Sequence, residues 1–134
     1  MQPAIKWSGS KRPMSKDIIS HFPKEINTYY EPFCGGCSIL MALMESDIKV
    51  KNYICSDLNG DLISLWNEIK NNPNRVIEEY SNMWHEMNSS QDKAIKRSYF
   101  EEVRNRFNKE KSPYDFMFIM RTTTNGMPRY NKKR

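Results

Sequence analysis

Three stretches of this chain carry residues suited to holding a small molecule. The first is Lys6-Trp7-Ser8-Gly9-Ser10-Lys11-Arg12, where an indole sits beside a glycine and a lysine. Such a tryptophan either stacks on a flat ring, with Lys11 reaching a carboxylate, or covers the edge of the core. The second runs from Thr28 to Ser38 and places Glu31 ahead of Gly35-Gly36. Thr28, Tyr29 and Tyr30 are β-formers, and Ser38 to Met44 is a run of helix formers and apolar residues. The glycines between them reach backbone angles closed to other residues and let a ligand come close. A carboxylate at a strand end, then a glycine turn into a helix, is a common cradle for nucleotide-like cofactors, since the acid accepts amine or hydroxyl protons. The pattern is neither G-x-G-x-x-G nor a P-loop, and an ordinary strand–helix turn can look the same. The third is Asp57, 26 residues after Glu31 at the tip of the next strand. An acid there is placed for ribose hydroxyls, although a buried or capping Asp is the plainer reading. Strand, glycine turn, strand and acid together favour binding.

Other catalysts are sparse. His21 and His85 lie on helical segments with no Ser or Cys partner beside them, as surface or half-buried histidines do. Cys34 and Cys37 form a C-x-x-C, yet no second Cys or His pair follows at zinc-site spacing, so they read as small residues lining a turn and no metal is expected. Glu101-Glu102 are neighbours on a helix and do not face one place. The nine methionines read as core filling. Arg121 to Asn131, R-T-T-T-N-G-M-P-R-Y-N, suits nucleic acid: arginine forks read guanine, while hydroxyls and amides suit phosphates.

The elements that must position these groups follow from periodicity and punctuation. Ser15 to Phe22 reads as a helix stopped by Pro23, Ile26 to Phe33 as a strand, Ser38 to Glu45 as a helix and Lys51 to Ser56 as a second strand. Asp61 reads as the N-cap of the next helix. Arg75 to Met87 and Gln91 to Phe107 have amphipathic spacing, and Ser112 with Pro113 opens a last helix to about Thr122. Met127 to Asn131 reads as a short strand or loop arm after the Asn125-Gly126 turn. The order is a βαβ unit followed by helices alone, an α/β chain whose two strands leave sheet edges and an apolar face open. It reads as an incomplete domain.

With 134 residues and 38% hydrophobic content the chain can build a core. It has no apolar run of 18 residues and no apolar signal region after Met1, so neither a membrane span nor a secretory signal is expected. Three cysteines make no disulfide framework, which fits a reducing, cytoplasmic setting. The net charge of +5 is compatible with a polyanionic partner, with basic residues gathered near both ends.

In order along residues 4–134, five segments resemble those of the Dam-type (D12 class) N6-adenine DNA methyltransferases, common in bacteria and phages. K-W-S-G-S-K-R is similar to the family's K-W-x-G-[GS]-K, and E-P-F-C-G-G to its E-P-F-x-G-G. S-D-L-N-G-D-L-I-S-L-W-N is similar to S-D-x-N-x-D-L-I-x-x-Y-N, and R-N-R-F-N and R-T-T-T-N-G-M-P-R-Y-N resemble its later helical and arm segments. The resemblance implies a Rossmann-like fold that binds S-adenosylmethionine, here with an incomplete sheet, and a helical target-recognition insertion. Residues 1–71 would belong to the cofactor domain and 72–134 to the insertion. Trp7 and Lys11 would contact the cofactor from the N-terminal loop. Glu31 and the turn from Phe33 through Gly35 and Gly36 would hold its methionine portion, and Asp57 its ribose. Lys6, Asn125 and Arg129 would face double-stranded DNA, with Arg129 reading a base. Cys37 stands where many members have a third glycine. The family's catalytic Asp-Pro-Pro-Tyr is not among these 134 residues, and Ser112-Pro113-Tyr114-Asp115 is no substitute. The expectation is therefore a monomeric N-terminal portion of such an enzyme, inactive alone, in the cytoplasm of a bacterium or a phage-infected cell. The rival is a non-catalytic remnant that binds S-adenosylmethionine or DNA.

Overall fold

The computed structural model describes residues 2–123 and Tyr130, so Asn125, Arg129 and the expected arm from Met127 to Asn131 lie outside the described residues. The chain divides into two compact units, one up to Asn59 and one from Gly60 onward.

The first unit begins with a 3-10 turn, Arg12–Met14, running into helix α1, Ser15–Ser20. The helix is shorter than its periodicity suggests, because the chain turns at His21 and Phe22, whose amides bond Ile18 and Ile19 carbonyls. Strand β1, Glu25–Glu31, and strand β2, Lys49–Cys55, pair in parallel, with Glu25 beside Lys49 and Glu31 beside Cys55. Helix α2, Ser38–Met44, lies in the connection between them, as a parallel pair requires. Period-two alternation gives β1 two faces. Tyr29 is buried and makes edge and tilted ring contacts with Tyr53 and Phe22. The opposite face carries Tyr30 directly beside Ile54, 66% and 50% exposed. Parallel sheets ordinarily bury both faces, and this one leaves an apolar pair open.

The second unit is helical: α3, Gly60–Asn71; α4, Pro73–Met87; α5, Lys93–Glu110; and α6, Pro113–Thr122. Helix α3 packs on α6 and α4 and belongs with them to the second compact unit. Asp61 is not the N-cap, since α3 already begins at Gly60 and puts Asp61 in its first turn. Asp92 caps α5 through an Ala94 amide bond of 2.8 Å. Ser112 holds the N-cap position of α6 without a side-chain bond, leaving Pro113 as the start signal.

Helix α6 is the centre of this unit, touching α3, α4 and α5. Phe116 to Met120 are buried without interruption, as befits a helix apolar on every side. Around it α4 contributes Val76 and Met83 and α5 contributes Val103 and Phe107, while Ile77 and Ile95 remain more than half exposed. Asp115 is buried among these side chains and is held by a bidentate Arg106, Nε–Oδ2 2.9 Å and Nη2–Oδ1 2.6 Å. The same Nη2 also reaches Met83 Sδ at 3.7 Å.

This pair is asymmetric. Asp115 is 4% exposed and Arg106 is 41% exposed. Arg106→Ala strands a carboxylate in the core, and urea denaturation should show a loss of about 3 kcal/mol. Asp115→Ala leaves an arginine that can turn to water, so its loss should be the smaller of the two.

Candidate cofactor site

The carboxyl ends of β1 and β2 bring the sequence's candidate groups together within the first unit. The ladder continues past the strands: Ser56 N–H donates to Glu31 O at 3.0 Å, and Cys34 N–H donates to Ser56 O at 2.9 Å. Cys34-Gly35-Gly36-Cys37 then closes a turn through Cys37 N–H to Cys34 O at 2.7 Å. Asp57 fastens that turn from the other strand. Its Oδ2 accepts the Gly35 amide at 2.9 Å and its Oδ1 accepts the Asn59 amide at 3.0 Å.

Glu31 ends β1 at the start of α2. Its Oε2 accepts the Tyr29 hydroxyl at 2.9 Å and the Leu40 amide, in the first turn of α2, at 3.1 Å. An acid at a helix N-terminus is favoured by the orphan amides and the dipole there. Burial nevertheless dominates and raises the Glu31 pKa above the ordinary carboxylate value, with the Tyr29 and Leu40 bonds pulling the other way. The Tyr29 hydroxyl is pushed up as well, first by burial and then by Glu31.

The glycines do something the sequence reading did not foresee. Gly35 has φ +48°, and a Cβ added there would lie 2.8 Å from Trp7 Cδ1 and 2.9 Å from Nε1. A Cβ on Gly36 would lie 3.0 Å from Trp7 Cβ. The missing side chains thus make room for the indole itself. The loop is fastened further along, where Ser10 and Ser38 hydroxyls stand 2.6 Å apart, and ahead of it, where Ile5 is fully buried. Lys6 and Lys11 on either side of Trp7 are exposed. Phe33, at the tip of the turn, is 86% exposed.

Trp7, Glu31, Gly35, Gly36 and Asp57 therefore share one end of the first unit, with Phe33 beside them. Asn125 and Arg129 fall outside the described residues. Tyr29, Ser10 and Ser38 are contributors the sequence reading missed. Tyr29 had a signal, because residues two apart on a strand share a face; the serine pair, 28 residues apart, had none.

Cys37 takes φ +53°, the left-handed region that glycine fills without penalty, which explains why a glycine would suit this position. Cys34 and Cys37 are free, buried thiols whose pKa values burial raises, and burial also pushes Cys55 up to about 11. Thiols held protonated are poor nucleophiles and poor ligands. A separate groove of 530 Å³ lies between α1 and α2, lined by Arg12, Lys16, Ile19, Ser38, Met41 and Glu45 among others. It contains none of the five clustered residues.

The D12 class N6 adenine-specific DNA methyltransferase family matches residues 7–134, and the chain belongs to that family. It is 36% identical over 145 aligned residues to the Type II methyltransferase M.MjaIII of Methanocaldococcus jannaschii, covering 99% of this chain and 50% of that protein. It is 30% identical to the DNA adenine methylase of Haemophilus influenzae, covering 98% of this chain and 44% of the relative. To the DNA adenine methylase of Escherichia coli K12 it is 32% identical, over 95% of this chain and 43% of the relative. The chain spans about half the length of these relatives. Among the described residues, no helix is long and apolar enough to cross a membrane.

Two substitutions test the geometry. Gly35→Ala adds a methyl within the indole's space at a positive φ, and thermal unfolding should report a loss of about 2–4 kcal/mol. For Glu31, the folded protein binds the proton more tightly than the unfolded chain does. Its contribution to stability is thus complete below the ordinary carboxylate pKa and is lost as pH rises through the raised folded value. Denaturant titrations of wild type and Glu31→Gln between pH 4 and 7 should show the wild type losing stability relative to the amide as pH increases.

Proposed function

We propose that this chain supplies the cofactor-binding part and the target-recognition part of an S-adenosylmethionine-dependent DNA adenine N6-methyltransferase. The observation that carries the reading is the single cluster of Trp7, Glu31, the Gly35-Gly36 turn and Asp57. The donor chemistry fits the cofactor. Glu31 is an acid partly removed from water, a site that an ammonium such as that of a methionine moiety relieves. Each Asp57 oxygen accepts one backbone bond and retains a second lone pair, which a ribose hydroxyl can use. Phe33 and the turn offer an apolar edge beside the acid, and Trp7 with Lys11 closes the loop side. The βαβ unit is read as the start of a Rossmann-like domain, and residues 72–134 as the recognition insertion, against which α3 packs.

When bound, the cofactor would supply a methyl group on a sulfonium for transfer to adenine N6. In this chain Glu31, Asp57 and the turn orient the donor, while Lys6, Asn125 and Arg129 face duplex DNA, with Arg129 reading a base edge. The group that holds the flipped adenine in this family, Asp-Pro-Pro-Tyr, is not among these residues. Positioning of N6 for attack is therefore not assigned to any side chain here.

Calorimetric titration of the purified chain with S-adenosylmethionine should give saturable binding that Asp57→Ala abolishes. Binding unchanged in that variant would remove Asp57, and with it the assignment of the cluster. Tritiated methyl transfer to duplex DNA by the 134-residue chain alone should stay at background.

A further inference from the structure

Tyr29 and Glu31 stand two residues apart on β1 and so share one face of the strand. The Tyr29 ring is wedged there. It is 8% exposed, with Phe22 tilted against it at 6.0 Å and Tyr53 edge-on at 6.3 Å between ring centroids. Its hydroxyl is therefore held in place before any ligand arrives, and it donates to Glu31 Oε2. The Leu40 amide donates to the same oxygen. A carboxylate oxygen has two lone pairs, so Oε2 is fully used inside the protein. Oε1 takes no hydrogen bond among the described residues, and it is not sealed from solvent either. The carboxylate thus has one committed oxygen and one open one.

The charge on this group is set locally. Burial favours the neutral acid, while the Tyr29 and Leu40 bonds favour the carboxylate. The other titratable groups that face Glu31 are Cys34 and Cys37 on the turn and Cys55 on β2. Helix α2 carries no titratable side chain. Burial raises the pKa of the Tyr29 hydroxyl and of all three thiols, so none of them changes charge between about pH 5 and 7. Tyr29 remains a donor throughout that range. Asp57, across the turn, acts on Cys34.

We propose that Tyr29 is a positioning residue for cofactor binding: it fills one oxygen of Glu31, so that the other alone is offered to the ammonium of a methionine portion. The inference rests on the reading of Glu31 as the group that holds that portion, and its test separates the two. Tyr29→Phe, made in the whole chain, keeps the ring contacts and removes only the donor. NMR follows the Glu31 side-chain carboxyl of the ligand-free protein through its titration. Because the lost bond favoured the ionised form, the midpoint should move to higher pH in the variant. Calorimetric titration with S-adenosylmethionine is run on both proteins across about pH 5 to 7. The dissociation constants should agree within about twofold at the upper end. They should diverge as pH falls, toward about tenfold weaker binding by the variant, the equivalent of one charge-assisted hydrogen bond. Any titration of Asp57 is common to both proteins and cancels in their ratio. Glu31→Gln, measured alongside at the upper end, should bind at least about tenfold more weakly than wild type.

A midpoint unmoved by Tyr29→Phe overturns the proposal at its hydrogen bond. A moved midpoint with a binding ratio constant in pH overturns the positioning role while Glu31→Gln still weakens binding, since a tyrosine that only fills space acts equally at every pH. If Glu31→Gln binds as wild type does, or wild type does not bind, the reading of Glu31 fails and the proposed role fails with it, while the midpoint still decides whether Tyr29 governs the acid.

Discussion

One carboxylate holding two backbone amides determines the shape of the first unit where β1 and β2 end. Asp57 spans Gly35 and Asn59 and so joins the turn after β1 to the chain leaving β2. The two strands alone would fix the turn only through ladder bonds at its base. With Asp57 in place, Gly35 keeps its positive φ, the turn stays open on the side where Trp7 sits, and the first turn of α2 lies within reach of Glu31. Three segments far apart in sequence thereby become one surface.

That surface is arranged against the protein's own stability. A glutamate at a helix N-terminus is favourable when hydrated, but here partial burial outweighs its two hydrogen bonds and raises its pKa. The first unit likewise leaves Phe33 and the Tyr30–Ile54 pair in solvent. The helical unit is organised differently, around a continuous apolar helix and the Arg106–Asp115 ion pair, of which only the carboxylate is buried.

Much of this was legible in the residues. Both strands, α2 and the helices of the second unit follow from periodicity, proline and glycine, with ends displaced by a few positions. Glu31, Gly35 and Asp57 were identifiable because each stands at a strand end or turn where local geometry constrains the chain. What stayed hidden depended on tertiary contact. Nothing local distinguishes Gly60 from Asp61 as the start of α3, or shows that α3 packs with later helices. The role of Gly35 and Gly36 as a seat for Trp7 needs a partner 28 residues away. Asp61 and Tyr130, 69 residues apart, meet only once α3 and α5 pack around α6.

The central place of α6 also fixes an order of events during synthesis. Helices α3, α4 and α5 all pack on it, yet it is the last of the four to be made. Short helices without a packed face are marginal in water. The helices emerging first are therefore amphipathic segments awaiting a core, and the unit can close in one step only when Phe116 to Met120 have left the ribosome. The β1–β2 pairing is made within residues up to Asn59 and does not wait for α6.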